Sequence, residues 1–304
     1  MLICVDHGNK NVKTGRCAPF TSGLVESETQ PFGADVLKYK GKYYQLSDER
    51  LPYRRDKTED EKFFILTLFA IARELETVGG CPPGVVRVQL AIGLPPAHYS
   101  SLKARFVSYF SGRGAITFAY RDKQRSILID EVACYPQSYA AAVTMFQELK
   151  SIPRAVVLDL GGYTVDYLLL KYGAGDLTVC DSLENGVILL YNRIRSKVRS
   201  DLDILISETE IDAILMGAEA EVPDEAVRIA EASAQEFITN LLNTLREHQI
   251  ELKTGRAVFV GGGALLLRSQ IIKSGKVSNP IFVEDIAANA KGYEFLYQRG
   301  HGGR

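Results

Sequence analysis

No run of apolar residues in this chain reaches the roughly 18 that a membrane span requires. The N-terminus reads as a strand rather than a signal peptide, and neither end carries a basic amphipathic helix of the kind that lies on a membrane. An excess of one charge is missing too. The 36 Lys and Arg balance 37 Asp and Glu, for a formal net charge of −1, which gives no electrostatic reason to expect nucleic-acid binding. Cysteine is sparse: Cys4, Cys17, Cys81, Cys134 and Cys180 are odd in number and form no CxxC. That usage predicts buried, reduced thiols in a cytoplasmic protein. The four histidines, His7, His98, His248 and His301, show no metal-ligand spacing, so a zinc site is not expected. Two nucleotide motifs are also absent. Without GxxxxGKS/T the P-loop route to a triphosphate is closed, and without GxGxxG after a strand a Rossmann site is disfavoured.

What the chain does have is one motif written twice. LICVDHGNKNVK, Leu2 to Lys13, and VVLDLGGYTVDYLLL, Val156 to Leu170, each read as an apolar strand ending in Asp, a Gly-bearing turn and a return strand. One such hairpin is a common turn. Two of them predict a duplicated domain whose loops face a shared cleft holding a nucleoside triphosphate. Glycine lets backbone N–H groups approach an anion without a Cβ in the way, and each Asp offers a carboxylate to a hydrated metal ion. A third Gly-rich loop, Gly261-Gly262-Gly263, follows another apolar strand. Alone it would mark only a helix start.

The rest of the chain alternates strands and helices. The 304 residues, 46% hydrophobic and 24% charged, suffice for two soluble core-forming domains. Short strands are expected at Asp35 to Tyr39 and Tyr43 to Leu46, then a helix opened by a Thr58–Glu61 capping box and closed by Gly79-Gly80 and Pro82-Pro83. A strand from Val85 to Ile92, a helix from about Ala97 to Phe110, and strands at Ala115 to Tyr120 and Ser126 to Val132 follow. A helix from near Pro136 to Lys150 leads to a junction at Ser151-Ile152-Pro153. The second half predicts strands at Ala155 to Asp159, Thr164 to Tyr172, Leu177 to Asp181 and Ala257 to Val260. Its helices are expected at about Val187 to Val198, Glu208 to Met216 and Asp224 to His248, with another directly after Gly261-Gly262-Gly263 and a last at Ile286 to Tyr297, before a disordered GHGGR tail. This mixture, twice over, argues for an α/β protein of two layered halves.

In order along the chain, five segments resemble the nucleotide-binding elements of the actin superfamily. Asp6-His7-Gly8-Asn9-Lys10-Asn11-Val12-Lys13 is similar to its first phosphate loop, and Asp159-Leu160-Gly161-Gly162-Tyr163-Thr164-Val165-Asp166 to its second. Glu131 to Ser138 resembles the first connecting segment, Val258 to Ala264 the adenosine motif, and Ala287 to Tyr293 the second connecting segment. Within the superfamily, the wording DLGGYTVD and GLPP resembles bacterial plasmid-segregation actins of the ParM/StbA type.

The resemblance implies two similar ribonuclease H-like domains flanking a nucleotide cleft, each with a smaller inserted subdomain. Domain I would span 1–153 and 285–304, with its insertion near 20–84; domain II would span 154–284, with its insertion near 200–228. It implies ATP or ADP with Mg²⁺ as cofactors. Asp6 and Asp159 would hold the ion through water, and Lys13 would reach the β- and γ-phosphates. Gly8, Asn9 and Lys10, with Gly161, Gly162, Tyr163 and Thr164, would line the phosphates, largely through backbone N–H groups. Gly261, Gly262 and Gly263 would admit adenine and ribose, and Asn185 or Arg195, beside Gly186, would contact the ribose. Gln137 would orient the attacking water, with Asp6 and Asp159 completing the catalytic set; Glu131 is the alternative if the register slips. ParM itself carries Glu at the Gln137 position and conventional actins carry Gln. His7 replaces the usual Asn or Asp, and Asp166 braces the turn.

The function implied is a cytoplasmic, filament-forming ATPase for plasmid DNA segregation. Its partners would be copies of itself and a DNA-bound adaptor at a plasmid centromere, with no direct nucleic-acid or membrane contact. The alternatives are a small-molecule kinase or phosphotransferase with the same ATP site, and a nucleotide-dependent adaptor. Sugar kinases of this superfamily are much longer, and a DnaK-type chaperone needs a peptide-binding domain for which this sequence has no room. GTP in place of ATP stays open.

Overall fold

The computed structural model describes residues 1–79 and 84–301. It begins with β1 (Leu2–His7), β2 (Asn11–Thr14), β3 (Phe20–Thr21), β4 (Leu24–Ser27), β5 (Val36–Tyr39) and β6 (Lys42–Leu46). A 3-10 turn at Lys57–Glu59 precedes α1 (Lys62–Thr77), β7 (Val85–Leu94), α2 (Pro96–Phe110), β8 (Ala115–Tyr120) and β9 (Lys123–Pro136). Two short helices follow, α3 (Tyr139–Val143) and α4 (Phe146–Leu149). Next come β10 (Ala155–Leu160), β11 (Val165–Lys171), β12 (Ala174–Leu183), α5 (Val187–Leu202), α6 (Glu208–Met216) and α7 (Asp224–Glu247). The last elements are β13 (Arg256–Val260), α8 (Gly262–Leu266), α9 (Arg268–Lys273), β14 (Pro280–Phe282) and α10 (Ala288–His301). The chain forms two compact units, Met1–Thr144 with Ala287–Arg304, and Met145–Ile286.

The first unit is built on a nine-stranded sheet ordered β3-β2-β1-β7-β9-β8-β5-β6-β4. Its centre is parallel, β1 beside β7 and β7 beside β9. Strands so placed are covered on both faces and read as apolar runs. Ile3 and Val5 of β1 face a core with Phe63, Leu66 and Phe69 of α1 and Phe106 and Phe110 of α2. Cys4 points to the other face, where it meets Ala140 of α3 and Tyr293 of α10.

The second unit repeats this arrangement on a five-stranded sheet, β12-β11-β10-β13-β14. All six residues of β10 are buried. Like β1, β10 has its hairpin partner antiparallel on one side and a parallel strand on the other. The core on this sheet is completed by Leu190, Tyr191, Ile194 and Val198 of α5 and by Phe237, Ile238 and Leu241 of α7. The duplication expected from two similar hairpins therefore extends to the strands around them.

Several local expectations are corrected. The Thr58–Glu61 capping box does not form. Asp56 Oδ1 accepts from the Thr58 N–H at 2.9 Å, closing a short turn two residues on, and α1 starts only at Lys62. The helix expected from Pro136 to Lys150 begins at Tyr139 and breaks between Val143 and Phe146. Pro136 ends β9, opposite Leu94, a strand-end position where a missing N–H costs little. The compact units divide at Thr144/Met145, and Ser151–Pro153 lies within the second of them. Strands β4, β5 and β6, inside the stretch expected to be an inserted subdomain, join the large sheet through β8.

Strand β14 was not anticipated, the helix expected after the glycine run is divided into α8 and α9, and α10 continues through Gly300 and His301, which were expected to be disordered. Gly80, Pro82, Pro83 and Cys81, and Gly302 to Arg304 of the expected tail, lie outside the described residues. Cys4, Cys17, Cys134 and Cys180 are free thiols. Burial pushes Cys134 up to about 12 and Cys4 higher still, so neither is a ready nucleophile. Among the described residues no helix is long and apolar enough to cross a membrane.

Candidate functional site

In the first unit, chemistry gathers at the end of β1. Asp6 is 2% exposed, and the β1–β2 register sets it opposite Lys13, whose Nζ lies 3.6 Å from Asp6 Oδ2. From the loop after β9, Gln137 Nε2 donates to Asp6 Oδ1 at 2.7 Å. A carboxylate only accepts, so it fixes the amide with its NH2 toward Asp6 and turns Oε1 away. One buried carboxylate thus holds both a cation and an oriented amide.

The turn after Asp6 needs glycine at position 8, where a Cβ would lie 2.5 Å from the Asn11 carbonyl oxygen. The Lys57 ammonium donates to the His7 carbonyl and the Ser22 hydroxyl to the Gly8 carbonyl. In a trans peptide the C=O and the following N–H point in opposite directions. The N–H groups of Gly8 and Asn9 are therefore directed away from Lys57 and Ser22. Asn9 and Lys10 are half-buried on this loop.

His7 lies on the opposite face of the strand, as alternation requires. It is fully buried, with Nε2 2.7 Å from Thr67 Oγ1 and its ring stacked on Phe110 at 5.5 Å. Substituting the usual Asn or Asp therefore alters the core beneath the loop. Burial, aided by the Lys57 charge, pulls the imidazole down to about 3. Because His7 protonates in the unfolded chain near pH 6.5 but not in the folded one, stability falls as pH drops from 6.5 toward 3. The expected loss is about 1.4 kcal/mol per pH unit. Urea unfolding of wild type and His7→Gln at pH 7 and pH 5 checks this: the variant should lose clearly less stability on acidification.

In the second unit the matching corner lies at the end of β10. Asp159 is 9% exposed and stands opposite Asp166 on β11. The Thr164 hydroxyl donates to Asp166 Oδ2 at 3.3 Å, which braces the turn. Gly161 N–H closes the turn onto the Thr164 carbonyl at 2.9 Å, so Gly161 is not itself a phosphate donor, contrary to expectation. The next three amides behave differently. The carbonyls of Gly161, Gly162 and Tyr163 accept from Val187, Ile188 and Gly186 at the start of α5, at 3.1, 2.9 and 3.0 Å. By the same peptide geometry, the N–H groups of Gly162, Tyr163 and Thr164 are directed away from α5. Consecutive amides so aligned make an anion-binding concavity.

Gly186 makes this docking possible, since a Cβ there would lie 2.2 Å from the Gly162 carbonyl oxygen. The glycine run after β13 completes the corner. Gly261 has φ +88°, and a Cβ on it would lie 2.5 Å from Asp159 Oδ1. Gly263 is pressed against Leu160 and Val187, whereas Gly262 faces open space. Parallel strands β10 and β13 thus end side by side at a carboxylate and a glycine loop, where ligands bind in open α/β sheets.

Other expected residues stand differently. Asn185 is half-buried just before Gly186. Arg195 is tied to the Ile206 carbonyl at 3.2 Å and to Glu208 at 3.7 Å, contacts belonging to the α5–α6 connection and not to the glycine corner. Glu131 accepts from Tyr297 at 2.7 Å and lies 2.9 Å from His301, so it is Gln137 that reaches Asp6. Asn289, for which the sequence suggested no role, contacts the residue after Gln137.

Residues 5–139 match the family model described as Actin like proteins N terminal domain. Residues 157–273 match that of Archaeal actin homologue MreB-like, C-terminal. Both halves of the chain thus match models of actin-like families. No curated protein matches it, but solved structures of actin-like proteins share its fold along its whole length. The actin-like protein Alp7A superposes with TM-score 0.78 at 18% identity, covering 100% of this chain and 98% of the other. The archaeal actin homolog Ta0583, complexed with ADP, gives 0.74 at 17%, covering 98% and 99%. A ParM from a 15-stranded Clostridium botulinum filament gives 0.76 at 16%, again covering 98% and 99%. At these identities the actin-like architecture is shared, and residue roles must be argued from this chain.

Proposed function

We propose that this actin-like chain binds Mg·ATP through its two strand-end corners, hydrolyses it slowly as a monomer, and assembles with copies of itself into filaments that hydrolysis destabilises. The observation that carries this reading is the matched pair of corners. Each has a buried Asp at the end of a central strand and backbone amides turned toward one side, and the first adds Lys13 and the Gln137 amide held on Asp6. Phosphoryl transfer needs little else from a protein beyond positioning and charge.

Lys13 and the amides of Gly8, Asn9, Gly162, Tyr163 and Thr164 bind the phosphates. Gln137 offers Oε1 as acceptor to an attacking water; an amide has no useful basicity, so it orients the water without deprotonating it. Gly261 to Gly263 admit the nucleoside.

Among the described residues no group of three or more His, Cys, Asp or Glu could cage a metal. Asp6 already engages Gln137 and Lys13. That engagement suits an ion that keeps most of its water, so Asp6 and Asp159 would hold Mg²⁺ through its hydration shell. The ion would neutralise phosphate charge.

The filament proteins with the same fold support self-assembly, and plasmid segregation through a DNA-bound adaptor is the cellular role we assign. A formal net charge of only −1 fits a protein that reaches DNA through a partner. Sedimentation with and without Mg·ATP tests the reading. A protein that stays in the supernatant well above micromolar concentration across several salt conditions is not a polymer, and acceptor-dependent ADP release would make it a kinase.

A further inference from the structure

The backbone just after Gln137 takes a shape that residues with a Cβ seldom adopt. Ser138, fully buried, has φ 60° and ψ −52°, and the Tyr139 N–H donates to the Gln137 carbonyl at 2.5 Å. This is a three-residue γ-turn of the rare positive-φ hand. Such strain persists only where the surroundings over-determine it. Two hydrogen bonds fix the turn from outside: Gln137 N–H to the Leu94 carbonyl at 2.8 Å, and Ser138 N–H to Asn289 Oδ1 at 3.0 Å.

Asn289 lies in the first turn of α10 and is 7% exposed. Three residues on, along the same helix face, Gly292 brings α10 so near α3 that a Cβ would lie 1.8 Å from the Ala140 carbonyl oxygen. The adjacent Tyr293 is fully buried over Gly93, where a Cβ would meet its hydroxyl at 2.0 Å. Helix α10 is thus seated against α3 and β7 with no room to shift, and Asn289 is the side chain it extends to the strained turn.

We infer that Asn289 is a positioning residue for hydrolysis: by accepting the Ser138 N–H it holds the turn that presents the Gln137 amide to Asp6. This rests on the role proposed for Gln137. Relaxing Ser138 to an ordinary φ would rotate the Gln137 peptide and swing its side chain off Asp6, while Lys13 and the backbone donors stay in place.

The test is steady-state ATP hydrolysis and equilibrium nucleotide binding by the full-length protein carrying Asn289→Ala, Ser138→Gly, both, or Gln137→Ala. Asn289→Ala should lower kcat about tenfold to a hundredfold, the scale of a misplaced catalytic group, with nucleotide affinity held within about threefold. Adding Ser138→Gly should restore kcat to within about threefold of wild type, because glycine takes positive φ without the Cβ penalty. A purely structural role would lower kcat and affinity together and would not be rescued, which would overturn the inference. Asn289→Ala at the wild-type rate beside a slow Gln137→Ala would overturn it alone. Gln137→Ala at the wild-type rate would remove the reading beneath it. Should Asn289→Ala not fold, Asn289→Asp keeps the accepting oxygen and should stay within about threefold of wild type; a deeper loss there would also overturn the inference.

Discussion

Asp159→Ala is expected to reduce phosphate release by at least about a hundredfold while leaving filaments that outlast those of the wild type. Asp159 lies at the end of β10 and is 9% exposed, and the backbone around it is shaped to leave its carboxylate room. Gly261, in the positive-φ region, comes within 2.5 Å of Asp159 Oδ1 where its Cβ would be. In the role proposed for it, removing the carboxylate deletes charge that would hold the hydrated cation against the phosphates. The N–H groups of Gly162, Tyr163 and Thr164 are set by the bonds that the carbonyls before them, of Gly161, Gly162 and Tyr163, accept from the start of α5, so binding should survive. Assembly, driven by binding, would then proceed without the hydrolysis that ends it. Phosphate release and sedimentation on the same sample separate the two effects. Hydrolysis at the wild-type rate would remove Asp159 from the catalytic set.

Gln137→Ala should slow hydrolysis about tenfold to a hundredfold, with nucleotide affinity within about threefold of wild type. In the proposed role the amide would give little to the ground state, because its NH2 is already bonded to Asp6 at 2.7 Å and only Oε1 is left to face the reacting water. A loss confined to kcat marks an interaction made in the transition state, whereas parallel losses in kcat and affinity would mark a structural part. Single-turnover hydrolysis with separately measured binding distinguishes them.

Much of the fold was legible because the signals are local. An apolar strand, an Asp and a Gly-bearing turn occupy about a dozen residues, and two copies announced the duplication that the sheets display. Helix α6 and strand β8 begin and end where their patterns indicate. Errors arose where a nearer or more distant partner prevailed. Asp56 outcompeted Thr58 as a cap because its carboxylate reaches an N–H two residues away. Gly161 was expected to donate to phosphate, yet the turn closes on its N–H.

Contacts of long sequence separation were hardest to read. Gln137 and Asp6 lie 131 residues apart, and only the resemblance brought both into view. Ser138 and Asn289 are 151 apart, and a lone Asn in a run of small residues carries no sign of its target. Arg195 looked available for a ligand because sequence does not show the Ile206 carbonyl and Glu208 folding back on it.

The central claim is that one nucleotide site serves both hydrolysis and assembly. It is tested most directly by phosphate release per molecule from Mg·ATP, measured across protein concentrations and paired with sedimentation. The account predicts a low, constant rate below a threshold concentration, then a rise in rate per molecule as the protein begins to pellet. A rate per molecule that stays flat while pelleted protein increases, or that rises with none pelleting, would contradict it.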